Sequence, residues 1–180
     1  MLSKKMEKAI NGQVNKELFS AYLYMAMSAY ANAGGLKGIS RWFMVQYHEE
    51  MVHAMKFYEY LQDHGNEVAL AAIEKPTGSF TTALSLYEAA LKHERFITKS
   101  INDLMELAIS EKDNASKTFL DWYVTEQVEE EKNATEIIQT LKMIGDNTAA
   151  LYLYDKELSA RVLSVPTDFS NGVAKAMGAA

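Results

Sequence analysis

The stretch QYHEEMVHA, Gln46 to Ala54, sets a carboxylate, Glu50, three residues before an imidazole, His53. On a helix, positions i and i+3 share a face, so the two side chains can hold one metal ion together. Glu17, Glu94 and Glu130 sit on apolar stripes in the same way, with the amide of Gln127 beside the last of them. An isolated ionised carboxylate in a low-dielectric interior is very unfavourable; it takes up a proton or finds a cation. If all four glutamates ionise, the cluster carries −4, and no Lys or Arg shares those stripes at that level. Two divalent cations neutralise that charge and also account for the histidine. A cluster that shares protons is the alternative these residues leave open.

Ligand type narrows the metal. Oxygen donors with a single imidazole suit Fe2+ or Mn2+, while Zn2+ and Co2+ also bind such a set. The chain has no Cys, which excludes thiolate sites, iron–sulfur clusters and disulfides. The assignment is one ion held by Glu17, Glu50 and His53, and a second held by Glu50, Glu94 and Glu130. Glu50 bridges them, and Gln127 is a neutral neighbour of the second. Two Fe2+ a few ångströms apart can each give one electron to O2, which is ferroxidase chemistry.

Such a site needs several helices that present their acidic residues at one height. Apolar residues recur at spacings of 3 and 4, which predicts helices. The seams are Ile10, Val14, Glu17, Ala21, Tyr24 and Ser28; Phe43, Tyr47, Glu50, Ala54, Phe57 and Leu61; Leu84, Tyr87, Leu91, Glu94, Thr98, Ile101, Met105 and Ala108; and Leu120, Tyr123, Gln127, Glu130, Ala134, Ile137, Leu141 and Ile144. Each reads as the buried face of a bundle helix. Breaks fall at Gly34-Gly35, at 65–79, at Glu111–Asn114 and at Gly145-Asp146-Asn147. Glu17 and Glu50 are symmetric about the first break, and Glu94 and Glu130 about position 112. Two antiparallel hairpins therefore bring each pair level. Glu50 lies 33 residues after Glu17, and Gln127 lies 33 after Glu94, so the second half repeats the first in altered form.

The link at 65–79 is longer than the 2–8 residues that join adjacent helix ends. Fifteen extended residues reach about 50 Å, and a 28-residue helix is about 42 Å long. The link can cross the whole bundle and make the second and third helices parallel. The expected fold is all-α: an up-down bundle of four helices, a long crossover, and a short fifth helix near 147–163. One domain over 1–164 and a C-terminal tail over 165–180 follow.

Only 9 Gly and 2 Pro interrupt the 180 residues, which leaves little room for turn-rich β architecture. No run approaches the ~18 apolar residues of a membrane span. The opening MLSKKMEKAING has no apolar signal core. The net charge is −6 with no basic stripe. Nucleic acid and membrane are not expected partners, cations are, and a cytoplasmic location is expected.

The set Glu17, Glu50-Met-Val-His53, Glu94 and Gln127-Val-Glu-Glu130 resembles the ferroxidase centre of ferritins, most closely the bacterial non-haem ferritins. The resemblance covers roughly residues 3 to 160. It implies a homo-oligomeric cage of 24 subunits, oxidation of Fe2+ by O2 or H2O2, and storage of ferric mineral inside. It also implies a third iron site on Glu49, Glu126, Glu129 and the shared Glu130. These flank the seams and so face partly inward. Tyr24, two turns from Glu17, matches a tyrosine that bonds near the centre and can be oxidised; Trp122 is a weaker candidate of that kind.

The chain departs from relatives in places. Bacterioferritins, also similar, carry a second E-x-x-H where this chain has Gln127-Val-Glu-Glu130. Met51 holds the place of a haem-ligating Met, but non-haem ferritins share it, so haem is not expected. The acidic lining of animal three-fold pores maps onto Lys117 and Leu120, and most of the animal nucleation cluster is replaced. His48, His64 and His93 read as surface or supporting histidines. A di-iron redox enzyme on the same bundle, and a purely structural bundle, remain competing readings.

Overall fold

The computed structural model describes residues 2–77 and 80–163. The sequence-based tail at 165–180 lies outside the described residues. Five helices run in order: α1 (Lys4–Ala33), α2 (Lys37–Asp63), α3 (Ala83–Glu111), α4 (Asn114–Ile144) and α5 (Thr148–Leu158). Ser3, Thr82, Asp113 and Asn147 cap α1, α3, α4 and α5 with side-chain oxygens that accept from backbone N–H groups. Lys112, the pivot of the second hairpin, adopts the left-handed conformation with φ 57°. That conformation stops α3 and lets its partner start two residues later.

α1 packs on α2, α3 on α4, and α1 on α3. The crossover spans 64–82, longer than the 65–79 expected, because helix 3 starts only after the Thr82–Ser85 capping box. Its described residues meet α1 at both ends. Asn66 donates to Glu7, Asn11 bonds the backbone of Glu67 and Ala69, and Asn15 donates to the carbonyls of Ala71 and Ala72. At the far end Phe80 meets Tyr30, with ring centroids 5.7 Å apart. α3 therefore starts beside the C-terminal end of α1, antiparallel to α1 and parallel to α2.

The seams of α1, α2 and α4 are buried largely as expected, but that of α3 is rotated. Tyr87, Glu94, Ile101 and Ala108 are buried, and their partners are Leu86, Ala90, Ile97 and Leu104. Leu84, Leu91, Thr98 and Met105, the expected alternates, are only half-buried. Both choices satisfy a helical period, and only packing against α1 and α4 decides between them.

The core comes in two halves. One holds Tyr24, Met27, Trp42, Phe43, Leu86, Tyr87 and Leu141; the other holds Met6, Ile10, Phe57, Leu61, Ile101, Leu104 and Tyr123. Between them lies a layer of buried polar side chains: Gln13, Glu17, Gln46, Glu50, His53, Glu94, Gln127 and Glu130.

α5 lies against α2 and makes fewer contacts with α4. α2 begins after Leu36, which has no side-chain oxygen to cap it. Asp155 of α5 supplies the cap from outside, accepting from the N–H groups of Gly38 at 2.9 Å and Ile39 at 2.8 Å. A carboxylate at a helix N-terminus is doubly favoured, by charge and by hydrogen bonding. The approach is so close that a Cβ at position 38 would lie 1.6 Å from the backbone oxygen of Asp155. Gly38→Ala should therefore lower stability by about 3 kcal/mol, the upper end for overpacking, because rigid backbone must move. Thermal denaturation measures the loss. A red shift in Trp fluorescence should accompany it, since Trp42 is buried beside α5; an unchanged melt and spectrum would show that α5 docks differently.

Candidate metal centre

Glu17 on α1 and Glu50 and His53 on α2 are buried, and each offers a ligand atom within 4.8 Å of the other two. Nδ1 of His53 lies 3.4 Å from Oε2 of Glu50. Oε2 of Glu17 and Nε2 of His53 are buried without a hydrogen-bond partner among the described residues. Buried polar atoms are nearly always paired. Two unpaired polar atoms in one cluster, each a metal donor once its proton is lost, therefore mark a cation site, and an oxygen–imidazole set fits Fe2+.

Glu94 and Glu130 line the same polar layer from α3 and α4 but stand outside that three-residue group. Tyr24 donates to Oε1 of Glu94, and Nε2 of Gln127 lies 3.4 Å from Oε2. The carbonyl of Gln127 faces the Thr98 hydroxyl at 3.0 Å. Gln127 thus places its side-chain amide between Glu94 and Thr98, within the same polar layer. Of the residues expected at a third site, Glu49 is buried and Glu129 is exposed. The Glu126 side chain is 25% exposed, with Oε1 3.9 Å from Nε2 of His53. His93 sits beside the centre, half-buried, 2.7 Å from the Ser20 hydroxyl.

The electrostatics are those of crowded acids. Burial, then the charge of Glu50, pushes Glu17 up from 4.5 to about 8. The same two causes push Glu130 to about 8. Burial and the charge of Glu130 hold Glu94 well above its ordinary range. Burial pushes His53 down, but the charge and hydrogen bond of Glu50 lift it to about 9. Glu50 alone is lowered; burial opposes this and the His53 charge outweighs it. Without metal, protons do the work of cations here.

A model of the ferritin-like domain matches residues 7–144. Non-haem ferritins of Staphylococcus epidermidis and Staphylococcus aureus are 41% and 40% identical over 161 residues, 89% of this chain and 97% of theirs. The chain belongs to the ferritin family. An open-pore ferritin from the archaeon Archaeoglobus fulgidus superposes with a TM-score of 0.89 at 45% identity, over 90% of this chain and all of that one. An engineered closed form of the same ferritin fits equally, with a TM-score of 0.89.

This ferritin supports its carboxylates with residues the sequence reading passed over. Gln13 donates to Glu17 at 2.8 Å, and Gln46 to Glu50 at 3.3 Å. Each glutamine stands four residues before its glutamate, and the two are 33 residues apart, like the glutamates. The repeat that revealed the acids thus carried the signal for their amides too. Each amide oxygen is bonded in turn. Ser100 donates to Gln13 at 2.6 Å and accepts from Lys16. Arg161 donates to Gln46 at 2.8 Å. Its other terminal nitrogen pairs with Glu49, and its guanidinium lies 4.2 Å from the Trp42 ring centroid. Nothing in the local sequence after α5 marks Arg161, because its partners come from a helix more than a hundred residues earlier.

The pH dependence follows from signs. Glu17 and Glu130 bind protons in the fold that the unfolded chain releases near 4.5, and His53 does so above 6.5. The stability they contribute is complete at low pH and is lost as pH rises through 8 to 9. The metal-free protein should melt at lower temperature at about pH 9 than at about pH 6. Zinc should raise the melting temperature more at the higher pH, where the ligands are already deprotonated. Calorimetry with and without Zn2+ checks both; a metal-free melt that rises with pH would contradict the charge assignment.

Proposed function

We propose that this ferritin oxidises Fe2+ with O2 or H2O2 at the centre between its helices and stores the ferric product in a cytoplasmic cage of 24 subunits. The observation that carries the reading is the buried Glu17–Glu50–His53 group with two unpaired donor atoms. Family membership supports it. Among the described residues no helix is long and apolar enough to cross a membrane.

In this reading Fe2+ is the substrate. Glu17, Glu50 and His53 hold one ion; Glu50, Glu94 and Glu130 hold the second, with Glu50 shared. Two Fe2+ give two electrons, and O2 with two protons becomes H2O2. Binding releases to solvent the protons that Glu17, Glu130 and His53 hold in the metal-free fold, and water supplies the two that H2O2 takes up. Gln13 fixes one oxygen of Glu17 and leaves the other free for metal, and Gln46 steadies one oxygen of Glu50 while the other faces His53. Tyr24, bonded to Glu94, can supply a further electron while its phenolic proton passes to that carboxylate. Glu49, Glu126, Glu129 and Glu130 form a third iron site, where burial holds Glu49 and Glu126 above their ordinary range against the opposing charges of Arg161 on Glu49 and of His53 on both.

Anaerobic Fe2+ loading followed by an oxygen pulse tests the centre. Glu50→Ala should slow the rapid oxidation at least ~100-fold, since both ions lose a ligand and even indirect support of a metal is worth 10–100-fold. Glu129→Ala should leave the rapid phase and change later turnover. An unchanged initial rate in Glu50→Ala would remove the bridging assignment. Twenty-four copies of the 20.2 kDa chain come to about 485 kDa, and the protein should elute at that size; elution as a dimer would favour a di-iron redox enzyme instead.

A further inference from the structure

Arg161 lies just beyond the last turn of α5, yet its two terminal nitrogens reach Gln46 and Glu49 on α2. Its side chain is 18% exposed and that of Glu49 is 8% exposed, so the pair is largely shielded from water. Shielded guanidinium–carboxylate pairs are strong when both partners stay and costly to break by removing one. Glu49 is also more deeply buried than Glu126 or Glu129. A metal ion on Glu49 and the guanidinium of Arg161 compete for the same oxygens.

We propose that Arg161 is a built-in counter-ion of the third iron site, which keeps Glu49 neutralised until a metal ion displaces it. The proposal rests on the third-site reading above. The structure also offers a place for the displaced side chain. A pocket of about 500 Å³ opens beside it, lined by Trp42, Ile137 and Tyr154 and by the carboxylates of Glu136 and Glu157. The guanidinium can leave Glu49 and remain among acids, so displacement does not strand a charge. Because Arg161 also bonds Gln46, which supports Glu50, its departure links third-site loading to the bridging carboxylate and to the C-terminal end of α5. Arg161 is thus a positioning residue that sets third-site affinity and does not itself bind iron.

Zinc, which is redox-inert, separates binding from turnover. Equilibrium dialysis of Zn2+ against the assembled full-length protein should give two tight ions per subunit and a weaker third. Arg161→Gln should tighten the third by about tenfold or more, because a unit charge within contact distance is removed. Arg161→Lys, which keeps the charge, should stay near the parent value, and Arg161→Met, equally uncharged, should tighten the third site likewise if Arg161→Gln assembles poorly. A third-site affinity in Arg161→Gln equal to or weaker than the parent's overturns the proposal. Glu129→Gln in the Arg161→Gln background tests the underlying site separately. A third zinc weakened by that change supports the site, whereas one indifferent to it, or no third zinc in any variant, defeats the third-site reading itself.

Discussion

Burying four glutamates at mid-height in a helical bundle sets the terms for everything around them. Each carboxylate must meet a proton, a cation or a hydrogen-bond donor, because the interior screens charge poorly. The bundle meets this demand with a complete polar layer: amides on the first two glutamates, a phenol and an amide on the third, and a raised proton affinity on three of the four. The apolar core is divided as a result. Two hydrophobic clusters hold the helices together from either side while the middle is left for chemistry. A fully apolar bundle of this length would pack more simply and could not hold metal.

The fifth helix belongs to the same arrangement. It buries little surface of its own, but its Asp155 and the Arg161 just past its end act at separate places on α2. Asp155 satisfies the bare N-terminus of that helix, and Arg161 balances Glu49 near its middle. The helix that carries both Glu50 and His53 is thereby fixed at two heights by one short element. The absence of a capping side chain at Leu36 makes sense only with α5 in place.

Much of this was legible from spacing alone. The level of the four acids follows from their symmetry about Gly34 and Lys112, and both turns fall where that symmetry requires. The crossover followed from a length argument, although its start of helix 3 was placed early because the Thr82–Ser85 cap reads weakly in sequence. The second stripe of α3 was misplaced because Leu84 and Leu86, or Leu91 and Ala90, satisfy the same period equally well. Arg161 was invisible for a different reason. Its meaning depends on a tertiary contact, and no periodicity relates residue 161 to residue 49.

The crossover is gripped in a particular way. Asn11 and Asn15 bond its main-chain atoms, and the side chains of Glu67, Leu70, Ala71 and Ala72 are left facing outward. Where the strap is fastened through its peptide groups it places little demand on the side chains, and the demand falls on Asn66, Val68 and Phe80, which do reach the bundle. The outward-facing positions Glu67 and Leu70–Ala72 can therefore be rewritten while the bundle beneath keeps its shape.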